Sequence, residues 1–461
     1  MKHYDAIIIG AGQAGTPLAK KLAEAGKKTA IIEKRMVGGT CINDGCTPTK
    51  AMLASAHAMH QARKAADLGV NIEDITLDFK KVKKRKDEIV DRFRSSAQKG
   101  IASIAKLDLI FGEAKFSGKK KLEVLLFDGV SERFTADWIF IDTGAKTAIP
   151  DIPGLQDINY LNSTSILDLE EVPEHLVIIG GNYIGLEFGQ MFARFGSKVS
   201  ILEKSARIMS REDKDVSIAL DEILTNEGIK ILKSITIDQV SAQKDGKITL
   251  SLTSKGKVKK IKASHVLVAA GRIPQTEFLN LEQAGIKTDQ HGYILVDDQL
   301  ETNIPGIYAL GDVKGGPAFT HIAYNDYTIV YRNLIHKANL RITDRMVPYC
   351  MFTDPQLGRV GLSEDEAKAR GINYQVAKIP MTQVARGIET GQTAGFMKAI
   401  VDPDSKKILG ACILASEGGE IMSVLEMAMA GGITFDQVRY FVFAHPLYSE
   451  SLNNLFMLID A

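Results

Sequence analysis

Two cysteines five residues apart, Cys41 and Cys46, are the residues of this sequence best suited to redox chemistry. In an ideal helix, residues i and i+5 have Cα atoms about 8.7 Å apart, whereas a disulfide needs a separation below about 7 Å. A bridge between the two cysteines therefore requires a distorted turn, which the intervening Asn43, Asp44 and Gly45 permit. Such a strained pair is expected to be reducible and catalytic, and a nearby helix N-terminus would favour the thiolate.

Two other interpretations of the cysteine pair stay open at this point. The cysteines could be two buried thiols, or one half of a metal site. The sequence contains no second cluster of cysteine and histidine at ligand spacing, so no metal site is predicted. The remaining Cys350 and Cys412 stand alone and are predicted to be small buried hydrophobic residues.

A pattern that occurs twice indicates the elements that would position the cysteines. In the first copy, the apolar run at residues 6–9 leads into Gly10, Gly12 and Gly15, and a second apolar run ends at Glu33. In the second copy, the run at residues 176–179 leads into Gly180 and Gly185, and a further run ends at Glu203. The acidic residue follows the last glycine by 18 residues in both copies. Two matches with the same offset indicate two dinucleotide-binding units.

The chemistry of each unit follows from its residue types. The glycines let the backbone turn tightly against a pyrophosphate, and the helix that follows presents free N–H groups and partial positive charge to it. The acidic residue can accept hydrogen bonds from ribose hydroxyls. In the second unit Asn182 replaces the middle glycine, and we expect its side chain to weaken or displace the bound nucleotide.

The composition excludes several classes of protein. At about 150 residues per domain, the 461 residues predict about three domains. With a net charge of +1, the chain has no excess of positive charge that would attract nucleic acid or an anionic membrane, so neither is predicted as a partner. No apolar run reaches the ~18–20 residues of a membrane helix, and the N-terminal residues show no secretory signal. With four cysteines, a reducing, cytoplasmic location is predicted.

Other segments complete the pattern. Between the two copies lies a mostly helical segment, whose basic run at residues 80–86 is expected on its solvated side. The strand-then-glycine pattern recurs at residues 138–144 and 266–272, and Gly311-Asp312 follows another apolar run. From about Asp344 onward, strands and helices alternate without a glycine fingerprint.

In this combination of motifs the chain resembles the FAD-dependent pyridine nucleotide–disulfide oxidoreductases, the family of glutathione reductase, dihydrolipoamide dehydrogenase and mercuric reductase. The resemblance covers essentially all 461 residues. It implies an α/β fold with two Rossmann-like dinucleotide-binding domains and a C-terminal α+β dimerisation domain. The implied boundaries are residues 1–150 and 273–343 for the FAD-binding domain, 151–272 for the NAD(P)-binding domain, and 344–461 for the dimerisation domain.

The resemblance also implies the cofactor sites. The implied FAD-binding residues are Gly10, Gly12, Gly15, Glu33, Gly39, Thr40, Thr143, Gly144, Gly311 and Asp312, the last matching an aspartate that binds the ribityl chain. Those of the nicotinamide nucleotide domain are Gly180, Tyr183, Gly185, Glu203 and Gly271, with Tyr183 as a gate to the nicotinamide pocket. Glu203 favours NADH, while Lys204 and Arg207 leave NADPH open.

The catalytic residues implied by the resemblance are six. Cys46 would stack on the flavin and Cys41 would face the substrate, while Lys50 would lie by the flavin and pair with Glu187. His445, oriented by Glu450, would act as general acid–base in the active site of the other subunit, so the expected enzyme is a homodimer with shared active sites.

The electron acceptor is the least defined property. Mercuric reductase carries a C-terminal cysteine pair that receives the metal ion, and residues 458–461 contain none, so efficient Hg(II) reduction is not expected. The segments 40–50, 319–327 and 444–456 are similar to mercuric-reductase-like flavoproteins, some of which act on reactive chlorine species and hypothiocyanous acid. A small thiol-reactive oxidant is therefore the predicted acceptor. Dihydrolipoamide dehydrogenase is the alternative enzyme, and a nucleotide-binding redox sensor is the non-enzymatic alternative.

Leu447 and Gln275, which replace a threonine and an asparagine of the family pattern, are expected to change only local hydrogen bonds.

Overall fold

The computed structural model describes residues 1–460. Its strands form where β-branched and other apolar residues follow one another, because such side chains pack well on a pleated surface. The strands are β1 (Lys2–Ile9), β2 (Thr29–Glu33), β3 (Leu107–Gly118), β4 (Lys121–Leu126), β5 (Ser131–Ile141), β6 (Ala145–Thr147), β7 (His175–Ile179), β8 (Lys198–Leu202), β9 (Lys230–Leu232), β10 (Thr236–Ala242), β11 (Ile248–Ser254), β12 (Lys257–Ala263), β13 (His265–Val268), β14 (Arg272–Pro274), β15 (Ile307–Ala309), β16 (Tyr349–Met351), β17 (Gln356–Gly361), β18 (Gln375–Pro380), β19 (Phe396–Val401) and β20 (Ile408–Ala415).

The longer helices have an amphipathic pattern, and α1, for example, buries Leu18 and Leu22. They are α1 (Gly15–Glu24), α2 (Gly39–Asn43), α3 (Cys46–Lys64), α4 (Phe79–Ala102), α5 (Tyr183–Phe195), α6 (Lys214–Asn226), α7 (Leu281–Ala284), α8 (Thr320–His336), α9 (Glu364–Ala369), α10 (Ala385–Glu389), α11 (Gly418–Ala430), α12 (Phe435–Arg439) and α13 (Ser451–Met457). Within the part of the chain that the structure describes, none of them is long and apolar enough to cross a bilayer.

The first of two compact units consists of Met1–Ala51, Lys81–Ala148 and Gly271–Arg345. Its sheet is parallel where β2, β1, β5 and β15 run side by side, and β4 pairs antiparallel with β3 and β5. The parallel strands are buried along most of their length because α1 and α8 cover one face of the sheet. The carboxyl ends of β1, β5 and β15 therefore meet at one edge, which is where a doubly wound sheet binds its ligand.

The second unit consists of Met52–Lys80, Ile149–Ala270 and Met346–Ala461, of which Ala461 lies outside the described residues. It contains a parallel sheet in the order β13-β7-β8-β9 and an antiparallel sheet β10-β11-β12. Its third sheet is antiparallel, in the order β16-β17-β20-β19-β18, and packs against α11 and α13. The α/β fold with two Rossmann-like parallel sheets and a C-terminal α+β region is confirmed. The exact domain boundaries given above stay a prediction.

Candidate nucleotide and redox site

The first glycine fingerprint connects β1 to α1 and is held by the acidic residue at the end of β2. Parallel pairing of Ile9 with the residue before Glu33 brings this carboxylate beside the turn. Glu33 Oε2 accepts the N–H of Ala11 at 2.8 Å, and its Oε1 accepts the N–H of Arg35 at 2.7 Å. The carboxylate therefore stabilises the glycine turn and keeps lone pairs for a ribose hydroxyl.

The segment that precedes the cysteines packs directly on this glycine turn. The N–H of Gly38 donates to Ala11 O at 2.8 Å. Gly39 has φ +59°, and a Cβ placed on it would lie 2.8 Å from the Cα of Gly12. Only glycine allows this backbone to approach so closely. Thr40 and Cys41 follow Gly39 in α2, so the fingerprint fixes where the redox segment begins.

The chain between the cysteines is not a continuous helix. Helix α2 ends at Asn43, and α3 begins at Cys46. Asn43 Nδ2 donates to Gly39 O at 2.9 Å, and its Oδ1 accepts from Arg94 Nε at 2.7 Å. Arg35 donates to Asp44 Oδ2 at 2.6 Å. The distorted turn that a Cys41–Cys46 bridge requires is thus present and held by side chains on both sides.

The two cysteines are thiols, and their sulfurs are neighbours. Cys41 is partly buried and Cys46 is exposed. The hydrogen bond with Cys46 raises the pKa of Cys41, and burial raises that pKa further. Thr320 Oγ1, at the start of α8, lies 3.5 Å from Cys46 Sγ and also hydrogen-bonds Cys41, which lowers the pKa of Cys41. Lys50, four residues beyond Cys46 in α3, acts on Cys41 in the same direction as Thr320.

The predicted second flavin motif, Gly311-Asp312, follows β15, and the buried Asp326 holds its backbone. Asp326 in α8 is fully buried and accepts the N–H of Gly311 at 2.8 Å. Its two oxygens pair with Lys314 at 3.3 Å and Arg345 at 2.6 Å. Burial raises the pKa of Asp312, whose carboxylate lies 3.7 Å from Arg272. The turn that carries Asp312 is therefore rigid.

Thr143 and Gly144, which follow β5, are hydrogen-bonded to Gln275, the residue after β14. Thr143 Oγ1 donates to Gln275 O at 2.9 Å, and Gln275 Nε2 donates back to Thr143 O at 2.9 Å. Gly271, at the junction of the two units, has φ +134°. Gln275, a departure from the family pattern, thus makes a reciprocal pair of hydrogen bonds.

The residues of the first fingerprint fit a dinucleotide pyrophosphate. The turn places the N-terminus of α1 at the carboxyl edge of the parallel strands, where helix N–H groups bind phosphate. The hydroxyl of Thr16 in α1 is buried and, among residues 1–460, has no hydrogen-bond partner. An orphaned donor of this kind beside a glycine turn suits a bound phosphate oxygen. The first unit therefore could hold FAD through its glycine turn, Glu33 and Asp312.

The second fingerprint repeats the same contacts. Gly181 donates its N–H to Glu203 Oε2 at 2.8 Å, and Ser205 donates to Glu203 Oε1 at 2.7 Å. Gly180 and Gly185 occupy the turn and the helix start, and Tyr183 begins α5. Asn182 adopts an extended conformation with φ −107°, so no left-handed backbone is required of it. Its Oδ1 accepts the N–H of Tyr183 at 3.0 Å and so occupies the helix N-terminus.

The remaining predicted catalytic residues lie in the second unit, whereas Lys50 and both cysteines lie in the first. Glu187 is buried in α5 and accepts the N–H of Phe352 at 2.8 Å. The exposed His445 places Nδ1 3.1 and 3.0 Å from the two oxygens of Glu450. Because an ionised carboxylate only accepts, Nδ1 carries a proton in this contact, and in the neutral imidazole Nε2 is then the nitrogen with the lone pair. The Lys50–Glu187 pair stays a prediction.

Among the described residues, one acidic cluster has the geometry of a metal site. It consists of Asp213, Asp215 and Glu364. The ammonium group of Lys398, which is almost fully buried, lies 3.0 Å from Asp213, 3.0 Å from Asp215 and 2.5 Å from Glu364. A lysine therefore supplies the positive charge that these carboxylates need.

Sequence reasoning did not identify several residues that shape the site. The sequence assigns no individual role to Asp326 or Thr320, and it predicts Asn43 only as a turn residue, because their partners are distant in sequence or are backbone groups. Thr320 and Cys46 are 274 residues apart. The lysine run at residues 80–86 was expected to be solvated, but Lys86 is buried and pairs with Asp87 at 2.6 Å.

Residues 4–326 match the family described as pyridine nucleotide-disulphide oxidoreductase, and residues 347–456 match the dimerisation domain of the same family. The chain is 37% identical to the probable pyridine nucleotide-disulfide oxidoreductase RclA of Escherichia coli K12 over the full length of both. A solved structure of that protein, described as a Cu(II) complex of an HOCl-induced flavoprotein disulfide reductase, superposes with a TM-score of 0.91 and covers 100% of both chains.

Two further groups of enzymes are similar over nearly the whole chain. The mercuric reductase of Staphylococcus aureus is 36% identical over 94% of this chain and 78% of its own length. The dihydrolipoyl dehydrogenase of Geobacillus stearothermophilus is 33% identical over 97% of this chain and 94% of its own.

Proposed function

The chain belongs to the pyridine nucleotide-disulphide oxidoreductase family, and from this premise we propose that it uses NAD(P)H to reduce a small thiol-reactive oxidant through Cys41 and Cys46. The family establishes an FAD- and pyridine nucleotide-dependent oxidoreductase with a dimerisation domain. The observation that carries the proposal is the position of the two sulfurs. They are neighbours in a broken helix that begins on the glycine turn of the first fingerprint.

The cysteine pair would alternate between two states. FAD, when bound, would transfer two electrons from the nicotinamide to the disulfide. The reduced cysteines would then give two electrons to the acceptor as their sulfurs rejoin. With hypothiocyanous acid, for example, two thiols and HOSCN give the disulfide, thiocyanate, water and a proton. Thr320 and Lys50 both favour the ionised form of Cys41 and so would favour its attack on the acceptor.

The raised pKa of Cys41 means that its thiol needs a base before it can attack. His445 is suited to this task because Glu450 fixes the proton on Nδ1 and leaves Nε2 to accept one. We assign the base to the partner subunit. Exposed apolar side chains directly before His445 support this assignment, because such a surface is typical of a protein–protein interface. Val442, for example, is 90% exposed in the single chain.

The acceptor is proposed from the comparisons and the cysteines. The solved structure cited above is described as an HOCl-induced flavoprotein disulfide reductase, which favours an oxidant of that chemical class. Outside the redox pair, Cys412 is fully buried in β20 and Cys350 is partly buried in β16. The redox pair would therefore be the thiols that meet the acceptor.

NADH is the proposed electron donor. Glu203 points at the second glycine turn, where its carboxylate suits a ribose 2′-hydroxyl and repels a 2′-phosphate. Lys204 and Arg207 follow Glu203 in sequence, so NADPH is the comparison to make. A cytoplasmic location, where both nucleotides are supplied, completes the proposal.

Steady-state turnover with a panel of acceptors tests this function. The purified protein should bind FAD and oxidise NADH with hypothiocyanous acid faster than with glutathione disulfide or Hg(II). Cys41→Ser should abolish this turnover but retain FAD, whereas Cys412→Ser should behave as the unmodified protein. Equal turnover by Cys41→Ser would contradict the role of the pair.

The 33% identity to dihydrolipoyl dehydrogenase supports a second candidate function. Reduction of NAD⁺ by dihydrolipoamide, faster than any oxidant is reduced, would establish it. Bound FAD that NADH does not reduce would instead indicate the nucleotide-binding redox sensor.

A further inference from the structure

Asp142 is a buried carboxyl group between the two turns proposed to hold FAD. It directly follows β5, which lies between β1 and β15 in the parallel sheet. Its backbone N–H donates to Ile9 O at 2.8 Å, at the residue where the first fingerprint begins. Asp142 therefore lies at the edge of the sheet, between the glycine turn that follows β1 and the Gly311-Asp312 turn that follows β15.

The backbone of both turns packs closely on this carboxyl group. The N–H of Gly15, the first residue of α1, donates to Asp142 Oδ2 at 2.7 Å. Ala14, the N-cap residue of α1, has no side chain that could serve instead. A Cβ on Gly12 would lie 2.7 Å from the same oxygen, and a Cβ on Gly311 would lie 3.0 Å from Oδ1. The glycines thus make room for a carboxyl group as well as for a ligand.

The second dinucleotide unit provides an internal comparison. There the N–H of Ala269 donates to Ile179 O at 2.8 Å, so Ala269 occupies the position of Asp142. The residue equivalent to Gly12 in that unit is Asn182. A side chain is therefore tolerated in the turn where alanine replaces the carboxyl group. Asp142 and Gly12 form a matched pair that belongs to the first unit alone.

The surroundings of Asp142 do not favour a negative charge. Asp142 is 8% exposed, and among residues 1–460 no basic side chain forms an ion pair with it. Asp326, by contrast, pairs with Lys314 and Arg345. Burial raises the pKa of Asp142 well above the usual range. The Gly15 N–H acts in the opposite direction, and the carboxylates of Asp312, Asp326 and Glu33 raise the pKa further. A buried carboxyl group without a counter-ion takes up a proton.

We propose that Asp142 is a cofactor-binding residue that is protonated in the folded protein, accepts the Gly15 N–H through Oδ2 and donates its own O–H to the pyrophosphate of FAD. A protonated carboxyl group has one donor, and that donor needs an acceptor when it is buried. A pyrophosphate is a strong acceptor, whereas an ionised Asp142 would repel it. The inference rests on the proposed FAD site.

Infrared difference spectroscopy of the holoprotein tests the protonation directly. Subtraction of the Asp142→Asn spectrum from that of the unmodified protein at neutral pH should leave the C=O stretching band of a protonated carboxyl group. A carboxylate band in its place would overturn the proposal. The Asp128→Asn variant changes a carboxylate in a solvated turn and should leave only a carboxylate band.

FAD binding provides the second measurement. Asp142→Asn keeps a donor and should retain FAD, whereas Asp142→Ala should weaken FAD binding by about tenfold or more. Equal FAD affinity of Asp142→Ala and the unmodified protein would also overturn the proposal. If Asp142→Ala does not fold, the infrared measurement decides alone. An unmodified protein that binds no FAD would contradict the proposed function itself, which separates the two failures.

Protonation of Asp142 should also make the stability of the apoprotein depend on pH. Because the pKa of Asp142 is raised on folding, its contribution to stability is complete below its unfolded pKa of about 3.9 and is lost as the pH rises towards the folded pKa. The melting temperature of Asp142→Asn should therefore exceed that of the unmodified apoprotein by more at pH 8 than at pH 5. A difference that is the same at both values would contradict a raised pKa.

Discussion

At the scale of single residues, the redox centre depends on side chains that contact the sulfurs from another part of the chain. Cys41 and Cys46 were identifiable because the sequence places them beside a nucleotide fingerprint. Thr320 was not identifiable, because a hydroxyl that contacts a sulfur 274 positions away leaves no local pattern. The same holds for Asp326, which holds the flavin motif from within α8.

Removal of the Thr320 hydroxyl should make Cys41 harder to ionise. A hydrogen bond to a charged group contributes about 1.5–3 kcal/mol, and 1.36 kcal/mol corresponds to one pKa unit. Thr320→Val should therefore raise the pKa of Cys41 by about one to two units. The rate of Cys41 alkylation in the reduced protein, measured against pH, should shift to higher pH by that amount.

Thr320→Ser is the matched control, since it keeps the hydroxyl and loses only a methyl group. Its alkylation profile should coincide with that of the unmodified protein. A profile of Thr320→Val that does not shift would show that the contact with the sulfurs is only a packing contact.

At the scale of elements, the two strand–turn–helix units were predicted in detail, because short-range pattern determines them. The offset from glycine to acidic residue appears in the structure as the same pair of backbone hydrogen bonds in each unit. The sequence pattern did not reveal how the third residue of the glycine turn, Gly12 in the first unit and Asn182 in the second, differs between the two units. Gly12 faces a carboxyl group, whereas Asn182 caps its own helix.

Replacement of Asn182 by glycine should improve nucleotide binding at the second unit. The side chain of Asn182 occupies the helix N-terminus that a pyrophosphate requires, and its φ of −107° is available to glycine without strain. Asn182→Gly should lower the KM for NADH several-fold without a loss of FAD. A higher KM would show that the asparagine binds the nucleotide.

The reverse change at the equivalent position of the first unit, which adds a side chain to Gly12, should weaken FAD binding. In Gly12→Ala the new Cβ would lie 2.7 Å from Asp142 Oδ2, so FAD should be lost on gel filtration while NADH still binds. Retention of FAD by this variant would show that the turn can widen.

At the scale of the whole molecule, the predicted catalytic residues are divided between two compact units, with the cysteines in one and His445 with Glu450 in the other. Only the family resemblance implied that His445 and Cys41 belong to different domains, because no local pattern relates the two residues, and the domain boundaries stay a prediction. If the base acts in the partner subunit, two defective chains can complement each other.

Mixed dimers of Cys41→Ser and His445→Ala test this arrangement. Each mixed dimer would contain one site with an intact cysteine pair and an intact base. Random pairing of equal amounts should restore about a quarter of the normal activity, although each variant alone is inactive. No activity in the mixture, with mixed dimers demonstrated by native mass spectrometry, would place the base in the same chain as the cysteines it serves.

The buried ammonium group of Lys398 has a consequence for how the second unit responds to its medium. A metal ion bound by three carboxylates can be removed by a chelator. The ammonium group of Lys398 cannot, because it is covalently attached to β19. The unit that contains Asp213, Asp215 and Glu364 should therefore melt at the same temperature with or without EDTA. Lys398→Met should lower the melting temperature, because the three carboxylates would lose the ammonium group that lies among them, and Arg359 and Lys378 would remain as partners of Asp213 and Asp215.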